Sequence, residues 1–119
     1  MQERSPKVQG RLWLSLNGKP LLGRGRLELL RQIETTGSIS KAAKAMKMSY
    51  KAAWDAVDAM NKAMGVPLVE SASGGSRGGG SRLTAAGKKL IADFHALEEQ
   101  HRQWLDAATQ AFSARMPGK

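Results

Sequence analysis

Three groups of residues carry types and spacings that could do chemistry. The first is Ser49-Tyr50-Lys51 with Trp54, Asp55 and Asp58, which sets hydroxyl, ammonium, aromatic and carboxylate groups on three turns of a helix. An ammonium one turn inside such a helix suits a phosphate oxygen or a base edge. The bland alternative for Lys51 is a solvated surface lysine. Tyr50 and Trp54 stand four apart and can stack on each other or on a neighbouring element, and for Trp54 packing weighs ahead of base contact. Carboxylates repel phosphate, so Asp55 and Asp58 are expected to orient Lys51 or cap packing rather than accept from cytosine N4. Ser49 reads first as a helix cap and second as a phosphate donor.

The second group is Ala72 to Ser81, with five glycines and Arg77 near the middle. Successive glycine amides can cradle phosphate. Neither a P-loop Lys-Ser/Thr pair nor a dinucleotide fingerprint is present, and the loop opens no strand–helix crossover. A flexible ribbon tip fits better, with Arg77 free to meet phosphates or a narrow minor groove. The third group is His95, His101 and Glu98-Glu99. The histidines are six apart, off the spacing of paired helical zinc ligands, and the chain has no cysteine to help them. Adjacent glutamates on a helix make no positioned acid pair. No enzyme, metal site or cofactor is expected.

These residues need elements to hold them. Val8 to Leu16 alternates apolar and polar, which predicts a strand; Asn17-Gly18 is a two-residue hairpin turn, and Lys19 to Leu22 returns as an edge strand carrying Pro20. Leu27, Leu30 and Ile33 predict a helix over 24–36 closed by Gly37. Ser38 or Ser40 caps a short helix to Met46, and Met46-Lys47-Met48 turns a corner. Ser49 then caps a third helix to about Met64, with Ala53, Val57, Met60 and Met64 inward. Leu68-Val69-Glu70 and Arg82-Leu83 frame the glycine loop as a strand–loop–strand ribbon. Thr84 caps a long helix, 84–113, of roughly 45 Å. Gly87 in its first turn costs about 1 kcal/mol unless another backbone comes close. The fold class is mainly α with small β: a single winged helix-turn-helix domain over 1–119, made of a hairpin (8–22), a three-helix core (24–64), a wing (68–83) and a long helix. In such an arrangement the first two helices bury the inner face of the third and leave its N-terminal turns for a major groove.

The charge agrees. The net +9 of this 119-residue chain divides as +4 over 1–36, +3 over 37–64, +3 over 65–89 and −1 over 90–119. The body is cationic and suits a polyanion, whereas the last quarter has another task. There Leu83, Leu90, Leu97, Trp104 and Ala111 repeat every seven residues beside Phe94, His101 and Ala108, which is the seam of a partner helix. We therefore expect a homodimer whose interface includes Leu90, Phe94, Leu97, His101, Trp104 and Ala108. The alternative is a helix folded back on its own domain. Met1 to Lys7 is polar and no apolar run is long enough to cross a bilayer, so no membrane partner and a cytoplasmic location are expected.

Gly37-Ser38-Ile39-Ser40, Ser49-Tyr50-Lys51-Ala52-Ala53-Trp54-Asp55-Ala56 and Met60-Asn61 resemble the DNA-binding domain of the molybdate-responsive ModE regulators. The likeness continues through Leu68-Val69-Glu70, the glycine loop, Leu83-Thr84 and Gly87, and a more distant one to the LysR-type winged helix runs through the same helices. The resemblance implies a dimeric transcription factor, often a repressor of molybdate-uptake genes, that binds double-stranded DNA at a palindromic operator. By analogy Ser49, Tyr50 and Lys51 fall at reading-helix contacts, Ser38 and Ser40 near phosphate, and Arg77 at the wing tip; Trp54 and Arg82 complete the expected DNA-facing set. In two-part members the oxyanion-sensing domains follow the long helix, and this sequence ends at Lys119. Molybdate sensing is therefore not expected of these residues, and a separate sensor protein is an alternative partner. A second reading, from a different class, is a protein–protein interaction module that docks on another regulator.

Overall fold

The computed structural model describes residues 5–72 and 80–117. Strands β1 (Leu14–Leu16) and β2 (Lys19–Leu22) pair antiparallel. Asn17 and Gly18 join them with φ of 53° and 80°, the two left-handed conformations that a two-residue hairpin turn demands. Helix α1 (Arg24–Thr36) ends at Gly37, whose φ is 75° and whose N–H donates to the Ile33 carbonyl. Helix α2 (Ile39–Ala45) is capped by Ser38, whose Oγ accepts from the Lys41 N–H at 3.1 Å. Of the two serines considered for this cap, Ser38 performs it and Ser40 lies in the first turn. The corner closes when the Met48 N–H donates to the Ala43 carbonyl at 2.9 Å, which forces Lys47 to a left-handed φ of 56°.

Helix α3 (Tyr50–Met64) is capped by Ser49, whose Oγ accepts from the Ala52 N–H at 3.0 Å, and Gly65 ends it. Strands β3 (Val69–Ala72) and β4 (Gly80–Leu83) form the wing, in register from Val69 opposite Leu83 to Ala72 opposite Gly80. Helix α4 (Ala85–Arg115) follows, capped by Thr84, whose Oγ1 accepts from the Gly87 N–H at 3.0 Å.

A single core joins these pieces. Leu27, Leu30 and Ile33 of α1 meet Ala42 and Ala43 of α2, Ala53, Val57 and Met60 of α3, Leu21 and Leu22 of the hairpin, Leu68 and Leu83 of the wing, and Phe94 of α4. The three alanines have no side-chain bulk to hold α2 and α3 apart, so the two helices cross closely. The wing docks on the corner between α1 and α2, where the Ser81 N–H donates to the Gly37 carbonyl at 2.9 Å.

Two expectations change. Only Leu14–Leu16 of the expected 8–16 strand pairs with β2; the register is irregular between Leu14 and Ser15 and the return strand has four residues. Residues 8–13 thus have no partner strand, and Pro20 offers no N–H to extend the ladder. They run along α4 instead. The Val8 N–H donates to Thr109 Oγ1 at 2.9 Å, and Gly10 packs so closely that a Cβ there would lie 3.4 Å from His101 Nε2. The alternation survives in burial: Val8, Leu12 and Leu14 are half-buried while Gln9, Arg11 and Trp13 are exposed. The second change concerns α4, of which only Gly87 and Phe94 are buried. Beyond Phe94 the helix projects from the body, giving a radius of gyration of 18.9 Å against the roughly 13–14 Å of a compact chain this long.

Candidate nucleic-acid interface

The N-terminal half of α3 is anchored on one side and free on the other. Ala53, Val57 and Met60 sink into the core. On the opposite side Tyr50 is 55% and Trp54 46% exposed, and the Lys51 side chain is 83% exposed. Ser49 sits at the head of the helix, where first-turn amides favour anions. Lys51 Nζ pairs with Asp55 Oδ2 at 2.9 Å, and Lys62 Nζ with Asp58 Oδ2 at 2.9 Å. Asp55 therefore does hold Lys51, as the spacing predicts, but Asp58 takes Lys62, one turn further on. The Asp58 hydrogen bond, then its charge, raises the Lys62 ammonium above its ordinary value.

Trp54 faces the base of the wing. It lines one cleft with Ile39, Val57, Asn61, Val69 and Ser81. Ser38 and Ser40 flank Ile39 and Arg82 follows Ser81, so the head of α2, the middle of α3 and the wing strands converge there. Arg82 Nε pairs with Glu70 Oε1 across the ribbon at 3.0 Å. The Ser38 hydroxyl is already used as a cap acceptor, and the half-exposed Trp54 both packs and faces outward. Arg77, expected among the DNA-facing residues, and Gly74, Gly75, Gly78 and Gly79 lie outside the described residues.

Three cations absent from the sequence-derived set lie on α2 and on the corner that leads into α3. Lys41, Lys44 and Lys47 are exposed, and none takes part in an ion pair among the described residues. Their spacing, continued by Lys51, is the signal that could have found them. A run of lysines three or four residues apart through α2, the corner and the head of α3 is a cationic stretch of the chain.

The root of the wing is held from two sides. The Leu68 N–H donates to Asn61 Oδ1 at 2.7 Å, and Asn61 Nδ2 donates to the Val69 carbonyl at 3.3 Å. From α4, the Thr84 N–H donates to the Leu68 carbonyl at 2.9 Å and Thr84 Oγ1 to the Pro67 carbonyl at 2.7 Å. A Cβ on Gly87 would stand 2.3 Å from the Leu68 carbonyl oxygen, so this is the close backbone approach that justifies a glycine in a helix.

The six residues expected along the partner seam are distributed differently. Phe94 is 1% exposed and belongs to the core of its own chain, because the first turns of α4 cover α1 and the wing root. Leu90 packs half-buried against the same core. His101 lies under residues of the N-terminal segment. Leu97 and Trp104 are exposed, Trp104 at 64%, as is Phe112, while Ala108 is half-buried. Among the described residues no group of three or more His, Cys, Asp or Glu gathers to hold a metal, and no helix is long and apolar enough to cross a membrane.

The sequence profile of the bacterial regulatory helix-turn-helix proteins of the lysR family matches residues 25–88, from α1 into the first turn of α4. The molybdenum transport protein ModE of Azotobacter vinelandii is 46% identical over 85 residues, which cover 71% of this chain and 32% of the relative. The molybdenum-pterin-binding protein MopB of Rhodobacter capsulatus is 53% identical over 77 residues, covering 65% and 28%. The chain thus spans less than a third of the length of these two curated relatives. Among solved structures, the complex of the CbnR DNA-binding domain with DNA matches with a TM-score of 0.57 and 24% identity, covering 76% of this chain and 98% of that one. Full-length LysG of Corynebacterium glutamicum matches at 0.53 and 25% identity, covering 77% and 30%. The winged-helix fold and the likeness to ModE regulators expected from the sequence are both borne out.

Proposed function

Because the chain belongs to the lysR family of bacterial regulatory helix-turn-helix proteins, we propose that it is a sequence-specific DNA-binding regulator of transcription. In this reading it binds a palindromic operator as a homodimer, as a repressor. The observation that carries the reading is the split character of α3: its inner face is fixed in the core, and its N-terminal turns, which carry Lys51, stand free. Tyr50, Lys51 and Trp54 would read base edges, while Ser38, Ser40, Ser49, Arg77 and Arg82 would grip phosphate. No cofactor is required within these residues, since charge and hydrogen bonds suffice. Because two relatives are named for molybdenum transport and molybdenum-pterin binding, we take molybdate-transport and molybdenum-enzyme genes as the first operators to try. A regulator of this kind works in the cytoplasm, and a separate sensor protein would supply any response to a ligand.

The dimer would form through the exposed apolar stripe of α4, where Leu97 and Trp104 repeat at seven residues without a charged side chain between them on that face. Two reading helices would then lie about one DNA turn, roughly 34 Å, apart. Fluorescence anisotropy on a sequence selected from random duplexes tests the function. Affinity should fall steeply as salt rises, because bound lysines and arginines release counterions. Salt-insensitive binding, or failure to enrich any sequence, would sink the reading and leave the protein–protein module in its place.

A further inference from the structure

The segment Pro67–Val69 leads from α3 into the wing and is held from the head of α4, and Asn61 is its fastener on the α3 side. Four hydrogen bonds converge on three consecutive residues. Asn61 of α3 accepts from the Leu68 N–H and donates to the Val69 carbonyl; from the α4 side Thr84 donates its N–H to the Leu68 carbonyl and its hydroxyl to the Pro67 carbonyl. Gly87 removes the side chain that would keep α4 off the Leu68 carbonyl. Leu68 itself is fully buried, so the junction cannot slide without opening the core. Asn61 sits three turns from Lys51 on α3, too far along the helix to share a base contact with it.

We propose that Asn61 is a positioning residue for DNA recognition: its carboxamide sets the angle of α3 relative to the wing and to α4. The inference rests on the DNA-binding reading above. An amide suits this position because one planar group supplies both an acceptor and a donor to successive backbone groups of a single strand. No other polar side chain among those described bridges α3 to the strand that opens the wing. Without it, α3 keeps its helix and its buried stripe but is no longer held in register with the wing, and two half-sites read by one dimer lose their fixed separation.

The test compares the full chain with Asn61→Ala and Asn61→Asp on duplexes that the unaltered chain has selected, on random duplexes, and on the selected half-sites respaced by one or two base pairs. For Asn61→Ala, affinity for the selected duplex should fall by roughly tenfold. Binding to random DNA should stay within about twofold, because phosphate contacts tolerate a change of angle, and the respaced sites should be penalised less than before. Asn61→Asp keeps the acceptor for the Leu68 N–H and loses the donor, so it should fall between the two and serves if the alanine variant does not fold. Loss of Leu68 amide protection in hydrogen exchange, with selected binding and spacing preference unchanged, would overturn the proposal. So would equal losses on selected and random DNA in a folded variant. If the unaltered chain selects no sequence, it is the DNA-binding reading that has failed, not the role of Asn61 within it.

Discussion

Replacing Gly87 with alanine should destabilise the fold, although the same change elsewhere in a helix stabilises it. In an open position Gly→Ala gains about 1 kcal/mol of helix propensity. At residue 87 the new methyl would stand 2.3 Å from the Leu68 carbonyl oxygen, 3.2 Å from its carbon and 3.4 Å from Leu68 Cα. Backbone is on both sides of the clash, so no flexible side chain can yield, and the helix or the strand root must retreat by about 1 Å. Retreat lengthens the bonds from Thr84 to Leu68 and Pro67, now 2.9 and 2.7 Å. Two weakened hydrogen bonds at about 0.5–1.5 kcal/mol each, plus overpacking of about 1–3 kcal/mol, outweigh the propensity gain. A net loss of about 1–5 kcal/mol is left, which lowers the melting temperature by on the order of 10 °C for a domain of this size. The control is Gly25→Ala in the first turn of α1, where nothing lies within 4 Å of the added carbon. There a gain of about 0.5–1 kcal/mol should raise the melting temperature by a few degrees. Thermal denaturation followed by circular dichroism at one fixed protein concentration reads both. A Gly87→Ala melting point at or above that of the unaltered protein would refute the packing described at the wing root.

Lys51→Ala should leave the melting point within a degree or two, since an exposed i, i+4 pair contributes only about 0.3–0.5 kcal/mol. Its affinity for a selected duplex should drop by about 1–3 kcal/mol with relaxed preference; an equal loss on random DNA would reassign it to phosphate. Trp104→Glu should shift sedimentation at micromolar concentration to the 12.8 kDa monomer while helical content is kept, and unchanged sedimentation would place the dimer contact elsewhere. Glu99 is held below the ordinary carboxylate range, first by its hydrogen bond to Arg102 and then by that guanidinium's charge. A lowered folded-state value contributes stability above the unfolded one and loses it as pH falls through the folded one. Carbon-13 titration of the Glu99 carboxyl should therefore show a midpoint below that of an ordinary glutamate, and one that moves upward in Arg102→Gln; identical midpoints in the two proteins would discard the pair.

How much of this was legible depended on how local each cause is. Asn17-Gly18, the caps at Ser49 and Thr84, and the helix stop at Gly37 are decided within five residues, and all appear where the sequence places them. The pairing of Lys51 with Asp55 is equally local. The length of β1 is not, because it depends on how long a partner strand exists and on a hydrogen bond between Val8 and Thr109, which stand 101 positions apart. The seven-residue repeat of α4 was visible, but a repeat does not say where the helix leaves the body. Phe94 and Trp104 share the pattern and face different neighbours, one the core and the other solvent. Gly87 was legible only as a condition, that some backbone must come near. Which backbone, and the answering role of Asn61, needed the strand in place.

The carboxylates beside the reading surface have a kinetic consequence. Lys51, Lys62 and Arg82 each carry a protein carboxylate at 2.9–3.0 Å. On the DNA-binding reading, a phosphate that engages one of them must first evict an aspartate or glutamate tethered to the same scaffold, whereas Lys41, Lys44 and Lys47 have no carboxylate partner among the described residues. A carboxylate bared in this way can take up a cation from solution and offset the one released from the phosphate, so the salt slope should fall short of the number of cations in contact. The same tethering acts as a threshold during search. On the proposed DNA-binding reading, the domain would hold arbitrary sequence by Lys41, Lys44 and Lys47 with Lys51 still paired, and only a site offering a better acceptor than Asp55 would draw Lys51 away.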